Sequence, residues 1–204
     1  MENLKDPEAE KTDNLGEFRK LEKLNQIYSF ILSKYKEYIE NGEKLSVAEL
    51  PTLIMPKVQL VVKKSNEIKE AYENYEYESD FSSASMKAYD FVKNDIQDVS
   101  LPLQFWFTPE ETLKFLSGDL TDKSILLCSL LIALGNPSTK VLVAINGNER
   151  KIVVYYEFGG SVTMLDLDLG IKIFSNKDAL LKSFDTTEDS IAYEFNDQVY
   201  IDLV

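Results

Sequence analysis

The 204-residue chain is 44% hydrophobic and 11% aromatic, enough to bury a full core, which excludes a disordered or fibrous protein. It contains no histidine, so the usual general base and commonest metal ligand are missing, and Cys-His and Ser-His-Asp catalysis are excluded with them. A formal charge of -13, from 35 acidic against 22 basic side chains, gives no footprint for nucleic acid and disfavours anionic membrane surfaces.

Residues 1–14 mix both signs of charge around Pro7 with little to bury, and read as a flexible charged tail without the apolar core of a signal peptide. From Leu15 to about Asn41, the positions Leu21, Leu24, Tyr28, Ile31, Tyr35 and Tyr38 step by three or four, the spacing of a long amphipathic helix that Gly42 would stop. SVAELPTLIMP reads as a connector, with Pro56 in the first turn of a second helix that carries Val58, Val61, Val62, Ile68 and Tyr72. NYEYESD would end that helix, and a third is expected from about Ser82 to Gln97. Residues 15–99 thus form an expected helical N-terminal region, with no convincing strand.

After LPLQFWF, Thr108, Pro109 and Glu111 make a strong helix start, predicting a short helix to about Leu116 that Gly118 breaks. Thr121 is the next cap candidate, with Asp122 favouring the helix dipole, and SILLCSLLIALG runs on to Gly135. This run is too short for the roughly 20 apolar residues of a membrane span, yet it is apolar all round, which places it at the centre of a fold. KVLVAI, KIVVYYEF and SVTMLDL then read as an antiparallel meander with turns at NGNE and GG. A short helix from Asn176 to Phe184 precedes a final hairpin, SIAYEF and QVYIDLV, turning at Asn196 and Asp197. The expected class is α+β, with N-terminal helices and a central buried helix packed on an antiparallel sheet over residues 100–204.

The stretch GDLTDKSILLCSLLIALGNPSTKVLVAI, followed by VVYYEFGGSVTMLDLD, resembles the core of the transglutaminase-like superfamily, whose fold is related to papain-like cysteine hydrolases. In that family a nucleophilic cysteine opens the buried helix, and the sheet bears histidine and aspartate. The resemblance spans roughly residues 105–170, with Tyr155 and the Leu165-Asp166 pair matching its pattern. It implies that Leu120 stands at the cysteine position, Val153 at the histidine position, and Asp166 at the aspartate position. Leucine and valine supply neither nucleophile nor base, so the resemblance implies a degenerate member without acyl-transfer chemistry.

The single cysteine, Cys128, lies within the apolar run as an inert packing thiol and fits a reducing cytoplasm. Asp166 and Asp168 would share a strand face, and if Asp119 and Asp122 lay nearby, as the family geometry implies, these oxygens could bind magnesium or calcium. Trp106, between Phe105 and Phe107, is a candidate binding residue if exposed and a core anchor otherwise. Glycine-rich phosphate loops and paired Cys-x-x-Cys motifs are absent, and no cofactor is expected. The function expected from these observations is a noncatalytic, cytoplasmic transglutaminase-like domain, not an enzyme, acting in protein-protein interaction or self-association. A divalent-metal-dependent hydrolase using carboxylates alone is the alternative.

Overall fold

The computed structural model describes residues 7–34, 36, 49–99, 106–184 and 190–203. The chain divides into two compact units, Met1–Leu45 and Ser46–Val204. The first holds helix α1, Pro7–Lys34, which starts within the expected tail; the expected stop at Gly42 lies outside the described residues.

The second unit opens with a short helix α2, Leu50–Leu53, where a connector was expected; Pro51 takes a position at its start and Leu50 is buried. Helix α3 is Gln59–Lys69 and helix α4 is Tyr77–Asn94. α4 begins five residues ahead of the expected Ser82, because Asp80 Oδ2 accepts the Glu76 N–H at 2.9 Å and the Tyr77 ring packs on Phe81 and Phe158. Acidic side chains in that first turn also suit the helix dipole. Both helices, expected in a separate region 15–99, pack in the same unit as the sheet.

Strand β1, Gln97–Asp98, pairs in parallel with β2, Ser117–Gly118, two short strands that were not expected. Between them helix α5, Pro109–Phe115, has the expected capping box: Glu111 N–H donates to Thr108 Oγ1 at 3.4 Å and Thr108 N–H to Glu111 Oε2 at 2.9 Å. Leu116, at φ 48°, ends this helix in place of Gly118.

Helix α6, Leu120–Ala133, is the centre of the unit. Its cap is Asp119, not the expected Thr121: Asp119 Oδ1 accepts the Asp122 N–H and Asp122 Oδ2 accepts the Asp119 N–H, each at 2.9 Å. Two acidic residues spaced by three satisfy two otherwise orphaned donors, which a threonine two residues further on, already inside the helix, could not do. Thr121 to Leu131 are all buried, as the all-round apolar pattern demands, and Gly135 leaves the helix at φ 116°.

The sheet is antiparallel throughout, in the order β6-β5-β4-β3-β7-β8. The strands are β3, Lys140–Asn146; β4, Glu149–Phe158; β5, Ser161–Asp166; β6, Gly170–Phe174; β7, Ile191–Phe195; and β8, Tyr200–Asp202. β6 was not expected; it pairs Leu165 with Ile171 at an edge that leaves most of its side chains exposed. One face of the sheet, carrying Val141, Val143, Ile152, Val154, Tyr156 and Leu165, joins α3, α4 and α6 in the main core. A buried hydrogen bond between Ser85 and Tyr156, 2.9 Å, ties α4 to the sheet. The opposite face carries Leu142, Val153, Tyr155 and Met164, and is covered by helix α7, Lys177–Lys182, with Phe184 beyond it. Among the described residues no helix is long and apolar enough to cross a membrane.

Candidate active site

The residues from Ser117 to Lys123 converge where β2 turns into α6. Gly118 allows the turn to close on the helix: a Cβ there would stand 2.7 Å from Asp122 Cβ and 3.4 Å from Thr112 Cγ2. Asp122 is buried beneath it, and its Oδ1 accepts the Phe107 N–H at 2.7 Å while Oδ2 holds the Asp119 N–H. Burial, followed by the nearby charge of Asp119, pushes the Asp122 carboxyl well above the usual carboxylate range, against the pull of those two N–H donors. Asp119 is half-buried and its Oδ1 is engaged in the cap. The Ser117 hydroxyl, fully buried beside the pair, has no hydrogen-bond partner among the described residues. Lys123, itself buried, reaches the exposed Asp98 on β1 at 2.6 Å.

The carried-over family positions do not come together. Leu120 is half-buried and packs on the main core at the opening of α6. Val153 is buried in the second cluster, on the face turned to α7, so it points away from α6; Ile152 and Val154 are the β4 positions that face the helix. Asp166 is buried, and its Oδ1 accepts the N–H groups of Asp168 and Leu169, each at 2.9 Å, making the turn into β6. Tyr89 on α4 donates to the Asp166 carbonyl at 2.8 Å. Asp168 is exposed. Asp119 and Asp122 thus form one pair, and Asp166 and Asp168 another. Among the described residues no group of three or more acidic or thiol side chains is placed to hold a metal, so the convergence that a carboxylate-metal hydrolase requires does not occur there. Trp106 is half-buried against the main core, as an anchor rather than an exposed contact. Cys128 is fully buried in α6, and that burial pushes its thiol far up, away from the reactive thiolate.

One polar cluster went unseen in the sequence. On the α7 face, the fully buried Glu194 accepts the Tyr155 hydroxyl at 2.6 Å, and its Oε1 receives Lys177 at 2.7 Å and Lys140 at 3.1 Å. Burial works against the charge, but the hydrogen bonds from Lys177, Tyr155 and Lys140 outweigh it and hold the Glu194 carboxyl below its ordinary value. The acidic residue inside the apolar run SIAYEF was the available signal, since an uncompensated carboxylate in a strand core is not tolerated.

No protein-family model matches the chain, and no curated protein matches it significantly. Solved structures are similar in fold. Calcium-bound LapG of Legionella pneumophila is 20% identical with a TM-score of 0.48, over 76% of this chain and 87% of that one. A protein of Cytophaga hutchinsonii provisionally named a cysteine protease is 14% identical with a TM-score of 0.43, over 79% of this chain and 55% of that one. Another, from Parabacteroides distasonis and provisionally named a protease, is 15% identical with a TM-score of 0.41, over 63% and 31% of the two chains. The α+β class, helices packed on an antiparallel six-stranded sheet, is as the sequence led one to expect. The expectation of a noncatalytic interaction domain that is not an enzyme is contradicted by these likenesses, in which two of the similar structures carry the names of proteases. The carboxylate-metal alternative gains nothing from these likenesses.

Proposed function

We propose that the chain is a hydrolase of amide bonds in polypeptides that works through carboxyl groups, with Asp119 meeting the substrate and Asp122 as its positioning residue. The reading takes its bond class from the fold's resemblance to amide-cleaving and acyl-transferring enzymes. The observation that carries it is the carboxyl pair at the opening of α6: a half-buried Asp119 hydrogen-bonded through its backbone to a buried Asp122 held toward its neutral form. Like-charged neighbours that cannot both ionise easily divide into a charged and a neutral partner, which is how two carboxyl groups take acid and base roles without imidazole.

In such a reaction a water oxygen attacks the scissile carbonyl carbon while Asp119 Oδ2 takes the water proton. The C–N bond then breaks as that proton passes to the departing amine. Asp122 orders the cap and keeps a second negative charge away, and the Ser117 hydroxyl has hydrogen-bonding capacity left at the same point.

The test is digestion of a mixed peptide library followed by mass spectrometry from pH 3 to pH 8, with and without EDTA. The expected result is cleavage that EDTA leaves intact, that declines as pH rises through the raised Asp122 value, and that Asp119→Asn abolishes. Asparagine still caps the helix, so the variant keeps its fold. Absence of cleavage across the range, or equal cleavage by Asp119→Asn, would overturn the reading.

A further inference from the structure

On the α7 face of the sheet, away from Asp119, an apolar slot of about 200 Å³ opens between the strands and the end of α7. Leu142, Ala144 and Ala192 form its floor, and Leu181, Phe184 and Leu203 its sides. A wider hollow of about 460 Å³ adjoins it, sharing Ala144 and Phe184. The floor residues are buried, yet the two alanines leave room where larger side chains would have completed the packing. The backbone carbonyl of Ala192 is already paired, with the Leu203 N–H at 2.8 Å, so that donor and acceptor make no polar demand on an occupant.

The rim differs from the rest of a chain whose formal charge is -13. Lys182 borders the slot and Lys151 the adjoining hollow, and the Lys151 ammonium stands over the Phe184 ring, 4.8 Å from its centre. Neither lysine has an acidic partner among the described residues. Arg150 and Glu149 also border the hollow, and Arg150 hydrogen-bonds Tyr193. One cation at the edge of the apolar slot and a second over the adjoining hollow complement a ligand with an anionic head and an apolar tail.

We infer that this slot is a binding site for a medium-length straight-chain carboxylate, with the hydrocarbon between Ala144, Ala192 and Leu181 and the carboxylate between Lys151 and Lys182. Nothing in this inference depends on the carboxyl pair at the opening of α6, and its test reads binding alone. A small cavity lined by aliphatic side chains gains from each methylene it removes from water, while the ammonium groups fix the end that stays wet.

Titration of the full chain with octanoate, followed by the methyl signals of Ala144 and Ala192, tests it. Octanoate is expected to shift both signals saturably, with acetate and octan-1-ol each binding at least about tenfold more weakly, because each lacks one half of the recognition. Lys151→Gln with Lys182→Gln is expected to weaken octanoate about tenfold and leave octan-1-ol unchanged. Ala192→Leu is expected to abolish octanoate binding by filling the slot. Lys182 is exposed and Lys151 lies over the Phe184 ring, so the charge variants leave the aliphatic floor intact and remain informative even if Ala192→Leu fails to fold. Equal binding of octan-1-ol and octanoate, unchanged affinity in the double lysine variant, or no shift at either alanine up to the solubility limit would overturn the inference.

Discussion

Replacing Glu194 with glutamine isolates the buried carboxylate of the charge cluster on the α7 face. Glutamine keeps the shape and one acceptor oxygen, but removes the negative charge that Lys140 and Lys177 approach at 3.1 and 2.7 Å. Breaking a buried pair typically costs about 3–5 kcal/mol when a charge is stranded. Here the lysine side chains are 19% and 29% exposed and can turn to water, so roughly half of that, ~2 kcal/mol, is expected. For a domain of this size that lowers the melting temperature by about 4–8 °C. The pH dependence fixes the cause. Glu194 is held below its ordinary value, so its contribution is complete above the unfolded carboxylate range and is lost as pH falls through the folded value. The gap between wild type and Glu194→Gln, followed by thermal melts from pH 7 to pH 3, should close in acid, where protonated glutamate and glutamine are equivalent. Coincident melts at neutral pH, or a gap that persists undiminished into acid, would refute this account of the cluster.

Gly118→Ala would place a methyl carbon 2.7 Å from Asp122 Cβ, and is expected to lower the urea midpoint by the equivalent of about 1–3 kcal/mol; an unchanged midpoint would show that β2 yields freely. Leu120→Cys combined with Val153→His is expected to show no thiol-dependent hydrolysis of a peptide ester, because the imidazole would face α7 while the thiol sits on the α6 side; turnover blocked by a thiol alkylator would show the strand face to be wrong. Cys128 is expected to react with a disulfide reagent only after the chain is denatured, and rapid labelling of the native protein would show that α6 opens.

The helices that the sequence specifies best are those whose ends carry their own chemistry. Thr108, Pro109 and Glu111 define α5 by side-chain to backbone bonds that are local in sequence, and Gly135 ends α6 by a conformation few other residues adopt. The same local logic was available at Asp119 and Asp122, but threonine at 121 offered a competing cap, and only the close packing of Gly118 on Asp122 decides between them. The start of α4 was hidden for a different reason. Tyr77 earns no helical signal of its own and is held by Phe81 and by Phe158, which lies 81 positions away on β4. β1 and β6 are stabilised by backbone pairing at edges rather than by an alternating buried face, so periodicity gave no sign of them.

The meander was legible, but the orientation of its strands was not, and that accounts for the fate of the candidate site. Alternation reveals which residues of a strand share a face only when one face is wet, and β4 is buried on both sides from Ile152 to Tyr156. The spacing of VVYY therefore could not tell whether Val153 or Val154 meets α6, and a resemblance counted along the chain placed Val153 there. The decisive information is the register of β4 against its neighbours, with Leu142 opposite Val153 and Val154 opposite Leu165, which follows from the turns at Gly147 and at Gly159-Gly160. With that register, the polar groups on the α7 side fall into place together: Tyr155 stands opposite Lys140, and Glu194 opposite Leu142 on the neighbouring strand, so both reach the same buried point. A sheet packed on both faces thus separates two sets of chemistry that the sequence interleaves residue by residue, the carboxyl pair lying on the α6 side and the lysines with Glu194 on the other.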